Sequence, residues 1–130
     1  MDSPITCLLI DDDEDDQEIF LLALRKLDSS IACSFADDGA EALRKLRQDE
    51  TFVPQFIFLD LNMPGMNGKQ CLTEIKKIAH LQHALIFIYS TSSEAKDILE
   101  TKQLGADGFI TKPAQVSDLI DELSKLLLDC

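Results

Sequence analysis

The sequence predicts an α/β domain, a doubly wound five-stranded parallel sheet in (βα)5 order, and three observations predict it. Five short apolar or β-branched runs recur along the chain, each followed by a stretch with helical spacing. Three of the runs are apolar throughout, as strands buried on both faces of a parallel sheet require. The connections between them are a few residues each, which leaves room for alternation of strand and helix and little else.

Each element has its own justification. Thr6–Ile10 is the first strand, and Phe20, Ala23, Leu24 and Leu27 mark the first helix. Asp13, Glu14, Asp15 and Asp16 fall in that helix's first turn, where acids favour the helix dipole. Ile31–Ala36 is the second strand; Ala40, Leu43 and Leu46 mark the second helix, with Asp38 and Glu41 spaced as a capping box. Gln55–Leu59 is the third strand, followed by helical spacing at Leu72, Ile75 and Ile78. Ala84–Tyr89 is the fourth; Thr91 and Glu94 are spaced to cap a helix marked more weakly by Ala95, Ile98 and Leu99. Asp107–Ile110 closes the sheet, and Val116, Leu119, Ile120, Leu123, Leu126 and Leu127 stripe the last helix. Right-handed crossovers then favour the strand order 2-1-3-4-5. The 130 residues fit one domain spanning 1–130, with no repeat, low-complexity tract or linker and nothing left over for an output domain.

Composition excludes several function classes. With 24 acids against 12 bases the net charge is −12, the wrong sign for direct nucleic-acid binding, which draws on Lys and Arg at phosphates. No apolar run approaches the roughly 18 residues of a membrane span, and MDSPITCLLIDDDEDD lacks the basic flank and cleavage site of a signal peptide. A soluble cytoplasmic domain without membrane insertion is the expectation. Cys7, Cys33, Cys71 and Cys130 are widely spaced with no CxxC pair, which argues against a disulfide framework or a zinc site. Cys7 and Cys71 sit in apolar patterns as small buried thiols.

The acidity is concentrated: seven of the acids lie between Asp11 and Glu18. In an open parallel sheet, function sits beyond the carboxyl ends of the strands. Strand one ends in Asp11-Asp12-Asp13, strand three in Asp60, strand four in Ser90-Thr91 and strand five in Thr111-Lys112-Pro113. Strand two ends in Asp37-Asp38, at the predicted edge. Several carboxylates, a hydroxyl and a lysine therefore converge. Crowded carboxylates resist ionisation unless a cation compensates, and Mg²⁺ takes one or two carboxylates together with waters and phosphate oxygens. Metal and lysine together would make an electropositive hole suited to a phosphoryl group.

With those residues in place, the chain resembles a response-regulator receiver domain, the phosphoacceptor module of two-component signalling, with its flavodoxin-like sheet. The resemblance spans nearly all of the sequence. LLIDDD resembles the family's strand and acidic pair; FIFLDLNMPGMNG resembles its phosphoacceptor loop, a highly specific motif. IYSTSS supplies the hydroxyl after strand four, and GADGFITKP resembles the closing lysine–proline segment. The resemblance implies that Asp60 takes a phosphoryl group from a sensor histidine kinase or a histidine phosphotransfer protein. It implies that Asp12, Asp60 and the backbone carbonyl of Asn62 ligate Mg²⁺, with Asp11 acting through a metal-bound water. Ser90 would bond a phosphoryl oxygen, Lys112 would pair with Asp60 or its phosphate, and the Lys112–Pro113 peptide would be cis. Phe109 matches an aromatic switch position, and Asn62 and Ser92 lie where the family sets phosphoryl lifetime. The expected output face is helix four, strand five and helix five. The expected role is signalling rather than enzymatic, apart from self-phosphorylation from small donors and self-dephosphorylation.

Two readings of other classes stay open at this level. A phosphorylation-independent interaction module would share the fold. A haloacid-dehalogenase-like phosphatase would use Asp11 and Asp13, with Ser90 and Lys112, but leaves Asp60 and MPGMNG unexplained and lacks a cap. The triple aspartate also leaves Asp12 and Asp13 as an alternative acidic pair. An EF-hand loop beginning at Asp11 fails, with Asp16 at its glycine position and Leu22 at its glutamate position. His80 and His83, at the end of helix three, are expected on the surface away from the site.

Overall fold

The computed structural model describes residues 5–63 and 65–128. Cys130, the first four residues and Pro64 of the MPGMNG motif lie outside the described residues. The elements run β1 (Thr6–Ile10), α1 (Glu14–Leu27), β2 (Ala32–Ala36), α2 (Gly39–Gln48), β3 (Phe56–Leu59), α3 (Gly68–Lys76), β4 (Leu85–Ser90), α4 (Ala95–Gln103), β5 (Gly108–Thr111) and α5 (Val116–Leu127). A single 3₁₀ turn, Ala79–Leu81, follows α3 and was not expected from the sequence. The five parallel strands lie in the order β2-β1-β3-β4-β5, the doubly wound, flavodoxin-like order.

The alternation of side chains along each strand divides the interior in two. Leu8, Ile10, Ile57, Leu59, Ile86 and Ile88 pack on one face with Leu43 and Leu46 of α2 and Leu72 and Ile75 of α3. Leu9, Phe58, Phe87 and Tyr89 pack on the other with Phe20 and Leu24 of α1 and Leu119, Leu123 and Leu127 of α5. Phe20 lies edge-on to Phe58, with ring centroids 4.9 Å apart. Cys7 and Cys71 are buried, as their apolar surroundings predict.

Two helices depart from expectation. On α4 the apolar residues do not mark the buried face: Ala95, Ile98 and Leu99 are exposed, and Thr101 is its buried residue. The Thr91–Glu94 capping box is also absent. Glu94 is the N-cap without a side-chain bond; its N–H donates instead to the Ser92 hydroxyl. Asp38 does cap α2, accepting from the N–H of Glu41. No helix among the described residues is long and apolar enough to cross a membrane.

The strand register positions the site. Ala36, Ile10, Leu59, Ile88 and Phe109 form one row across the sheet. The ladder continues one step further, with the N–H of Asp11 on the Ala36 carbonyl and that of Asp60 on the Ile10 carbonyl. The residues directly after β1 and β3 are thus carried to the same level at the same edge.

Candidate functional site

Asp11 and Asp60 are buried at this edge, and Asp12 beside them is exposed. Each of the three carboxylates brings an oxygen within 4.8 Å of the others. Lys112 reaches them from the end of β5, which the N–H of Lys112 ties to the Ser90 carbonyl at 2.7 Å. Its ammonium lies 2.9 Å from Asp11 Oδ2 and 3.4 Å from Asp60 Oδ2, and 5.3 Å from the centre of the Tyr89 ring.

Electrostatics follow from burial and this one cation. Burial pushes the Asp11 carboxyl up to about 6, against the pull of Lys112 and of the Asp13 N–H, which donates to Asp11 Oδ1. Burial alone would lower the Lys112 pKa, but its bonds to carboxylates outweigh that and hold it above its ordinary value. Tyr89 is pushed up to about 12, chiefly by burial.

The donor set fits a small hard cation. Asp11 Oδ2 is buried and has an ion-pair partner in Lys112, yet no directed hydrogen bond. One ammonium shared among Asp11, Asp16 and Asp60 leaves the cluster with an excess of negative charge, which a bound cation would offset. Carboxylate oxygens are the ligands Mg²⁺ selects, and the exposure of Asp12 leaves one side open to water and phosphate oxygens.

The other expected residues fall around this cluster. Ser90 is buried at the end of β4, its hydroxyl accepting from the N–H of Ser92 at 3.3 Å. Asn62 turns back on the loop after β3, its N–H donating to Asp60 Oδ1 at 3.2 Å. Phe109, half-buried, lines a cavity of about 260 Å³ with Ile98, Thr101 and Lys102 of α4. Asp37, at the edge strand, stays out of the cluster and accepts from Gln17 Nε2. His80 is not a free surface residue: its Nε2 lies 2.9 Å from the Leu46 carbonyl.

Two expectations require correction. The Lys112–Pro113 peptide is trans, since no cis bond occurs among the described residues. Trans is the favoured isomer of an X–Pro amide by about 0.5–1 kcal/mol, and from it Lys112 already reaches its carboxylates, so nothing in this arrangement demands the cis form. Second, Asp13 does not sit inside the first turn of α1 but caps it, accepting from the N–H groups of Asp15 and Asp16. That engagement takes Asp13 out of the acidic pair, and Asp11 with Asp12 is the pair that meets Asp60.

Sequence reasoning missed one direct contact. Asp16 Oδ2 lies 2.7 Å from Lys112 Nζ, nearer than either of the other two carboxylates. Its position three residues after the cap was the available signal, but that spacing also describes an ordinary solvated first-turn acid. Lys69 was missed too; at the start of α3 it bonds Asp97 and Glu100 of α4.

Comparison with known proteins gives a consistent result. The family model described as "Response regulator receiver domain" matches residues 7–124. The chemotaxis protein CheY-3 of Vibrio cholerae is 33% identical over 91 residues, covering 70% of this chain and 68% of that protein. The chemotaxis protein CheY of Pseudomonas aeruginosa is 29% identical over 119 residues, covering 92% and 93%. The solved structure of the phosphorylated cyanobacterial phytochrome response regulator RcpA superposes with a TM-score of 0.87 at 28% identity, covering 97% of this chain and 95% of that one.

Proposed function

Because this chain belongs to the response regulator receiver domain family, we propose that it accepts a phosphoryl group on Asp60, with Mg²⁺, from a sensor histidine kinase or a histidine phosphotransfer protein. The observation that carries the reading is the convergence on Asp60 of one lysine from the end of β5 and two further aspartates from the end of β1. A relative, RcpA, has been solved in phosphorylated form.

The chemistry asks little of the protein beyond position and charge. The Asp60 carboxylate attacks the phosphorus of the donor; the P–N bond of a phosphohistidine breaks as the P–O bond forms. The imidazole keeps the bonding electron pair and takes up a proton. Lys112 neutralises part of the charge arriving on the phosphoryl oxygens. Asp11, Asp12 and Asp60, with the carbonyl of Asn62, would hold Mg²⁺, which supplies further charge neutralisation at the same oxygens. Ser90 can exchange its bond from the Ser92 N–H for one it donates to the phosphoryl group.

That exchange would draw the β4–α4 connection inward and alter the room available to Phe109 beside its cavity. The α4–β5–α5 face is then the output surface, and the exposed Ile98 and Leu99 on α4 give it apolar contact area for a protein partner.

Intact-mass spectrometry after incubation with Mg²⁺ and acetyl phosphate tests the reading. Wild type should gain about 80 Da, one phosphoryl group, and Asp60→Asn should gain nothing. If neither acetyl phosphate nor phosphoramidate labels a folded, Mg²⁺-binding protein, the phosphoacceptor role is wrong, and a phosphorylation-independent interaction module takes its place.

A further inference from the structure

Asp16 meets Lys112 across 96 positions of sequence, and the contact is not an accident of helix capping. An acid at this place in a first turn ordinarily faces solvent or reaches back to the N-cap amide. Here the cap is complete without it: Asp13 receives the N–H of Asp15 and, at 3.3 Å, that of Asp16 itself. The Asp16 carboxylate turns inward and takes the shortest of the lysine's three ion pairs, 2.7 Å against 2.9 Å for Asp11 and 3.4 Å for Asp60. The bond to Asp60 is the longest of the three, so the ammonium leans toward α1 while still touching the proposed acceptor.

We propose that Asp16 is a positioning residue that shares Lys112 with Asp60, drawing the ammonium toward α1 until a phosphoryl group arrives to take the lysine over. The inference rests on the phosphoacceptor reading of Asp60. It makes two linked statements about charge. While paired, Asp16 offsets the ammonium and so lessens its repulsion of a cation bound by Asp11, Asp12 and Asp60. The same negative charge stands beside the landing place of an anionic donor and opposes its approach. Phosphoryl oxygens, carrying close to two charges, then outcompete a single carboxylate for the lysine. Asp16 is only partly buried, with 27% of its side chain exposed, so its release would also change the charge presented at the start of α1.

The test separates this role from a general loss of negative charge by comparing Asp16→Asn with Asp15→Asn. Asp15 adjoins Asp16 but is exposed and has no contact with Lys112 among the described residues. Mg²⁺ affinity is read by calorimetry on unphosphorylated protein, and the KM for acetyl phosphate at saturating Mg²⁺ by intact mass. Asp16→Asn should weaken Mg²⁺ binding about threefold to tenfold and lower the KM by a similar factor, as for one charge lost near a protein surface. Asp15→Asn should stay within about twofold of wild type on both. Asp16→Ser, which keeps a small polar residue in the first turn, should reproduce Asp16→Asn. An Asp16→Asn protein that matches wild type on either measurement, or an Asp15→Asn protein that moves as far, overturns the proposal. Wild type that takes up no phosphoryl group would instead sink the Asp60 reading, and the Mg²⁺ titrations alone would then decide whether Asp16 compensates Lys112.

Discussion

Gly68 leaves no room for a side chain. A Cβ there would lie against the Asp60 carbonyl oxygen and 2.6 Å from the Leu61 Cα, contacts with backbone that no rotamer change relieves. The glycine lets α3 start directly beneath the acceptor loop, where its N–H donates to the Leu61 carbonyl at 3.0 Å. Gly68→Ala should therefore cost about 1–3 kcal/mol of stability, as overpacking does, measured by urea denaturation; a loss below a few tenths would show that the loop can yield. At this scale the sequence was readable where chemistry and position coincide. Asp60, Ser90 and Lys112 follow strands, and strand ends are where such residues act. Asp13 and Asp16 were not readable, because a run of acids at a helix start offers several solvated placements of nearly equal energy. Which member caps, which pairs and which faces water depends on the residues of other elements that reach it.

Among the elements, α3 and α4 are joined at the mouth of the site by Lys69. Its ammonium lies 2.8 Å from Asp97 Oδ1 and 2.7 Å from Glu100 Oε2, and Asp97 also accepts from the Ser92 hydroxyl at 2.6 Å. Bonds from Lys69, and for Asp97 also from Ser92, hold both carboxyls below their ordinary range. A depressed carboxyl contributes stability above its unfolded pKa and loses it as pH falls through the lower folded value. Lys69→Met should accordingly lower Tm at about pH 7, and its gap from wild type should close on acidification below about pH 4. A gap that persists into acid would show the lysine acting by packing instead. This tie anchors the start of a helix whose own apolar residues face outward. Helical spacing in the sequence identified α4 but not its orientation, since Ala95, Ile98 and Leu99 share a face whether or not anything covers it. Their exposure suits the output role proposed for that surface.

For the whole molecule, the carboxylate cluster is a source of instability that a bound cation would relieve. A ligand that binds only the folded state stabilises it in proportion to the logarithm of its concentration; at about one hundred times Kd the gain is ~2.7 kcal/mol. For a domain of this size, Mg²⁺ at that level should raise Tm by about 10 °C over the same protein in EDTA. Asp12→Asn should blunt the rise, since Asp12 is the exposed member of the cluster and its loss leaves the core intact. Differential scanning calorimetry with and without the metal decides it; an equal rise in Asp12→Asn would place the cation elsewhere.

The sequence by itself determined the layers, the strand order and the edge at which function collects. Apolar runs such as residues 7–10 and Phe56–Leu59 suit strands buried on both faces, as a parallel sheet covered by helices requires, and short right-handed connections admit few orders. The family followed from motifs of contiguous residues, which need no folding to be recognised. Tertiary structure decided what remained: the lysine's three-way sharing, the trans Lys112–Pro113 bond, the outward face of α4 and the division of labour within Asp11–Asp16. These depend on distances between groups far apart in the chain. Ion pairs and hydrogen bonds are decided within a few tenths of an ångström, whereas the periodicity of a sequence resolves only which face a residue occupies.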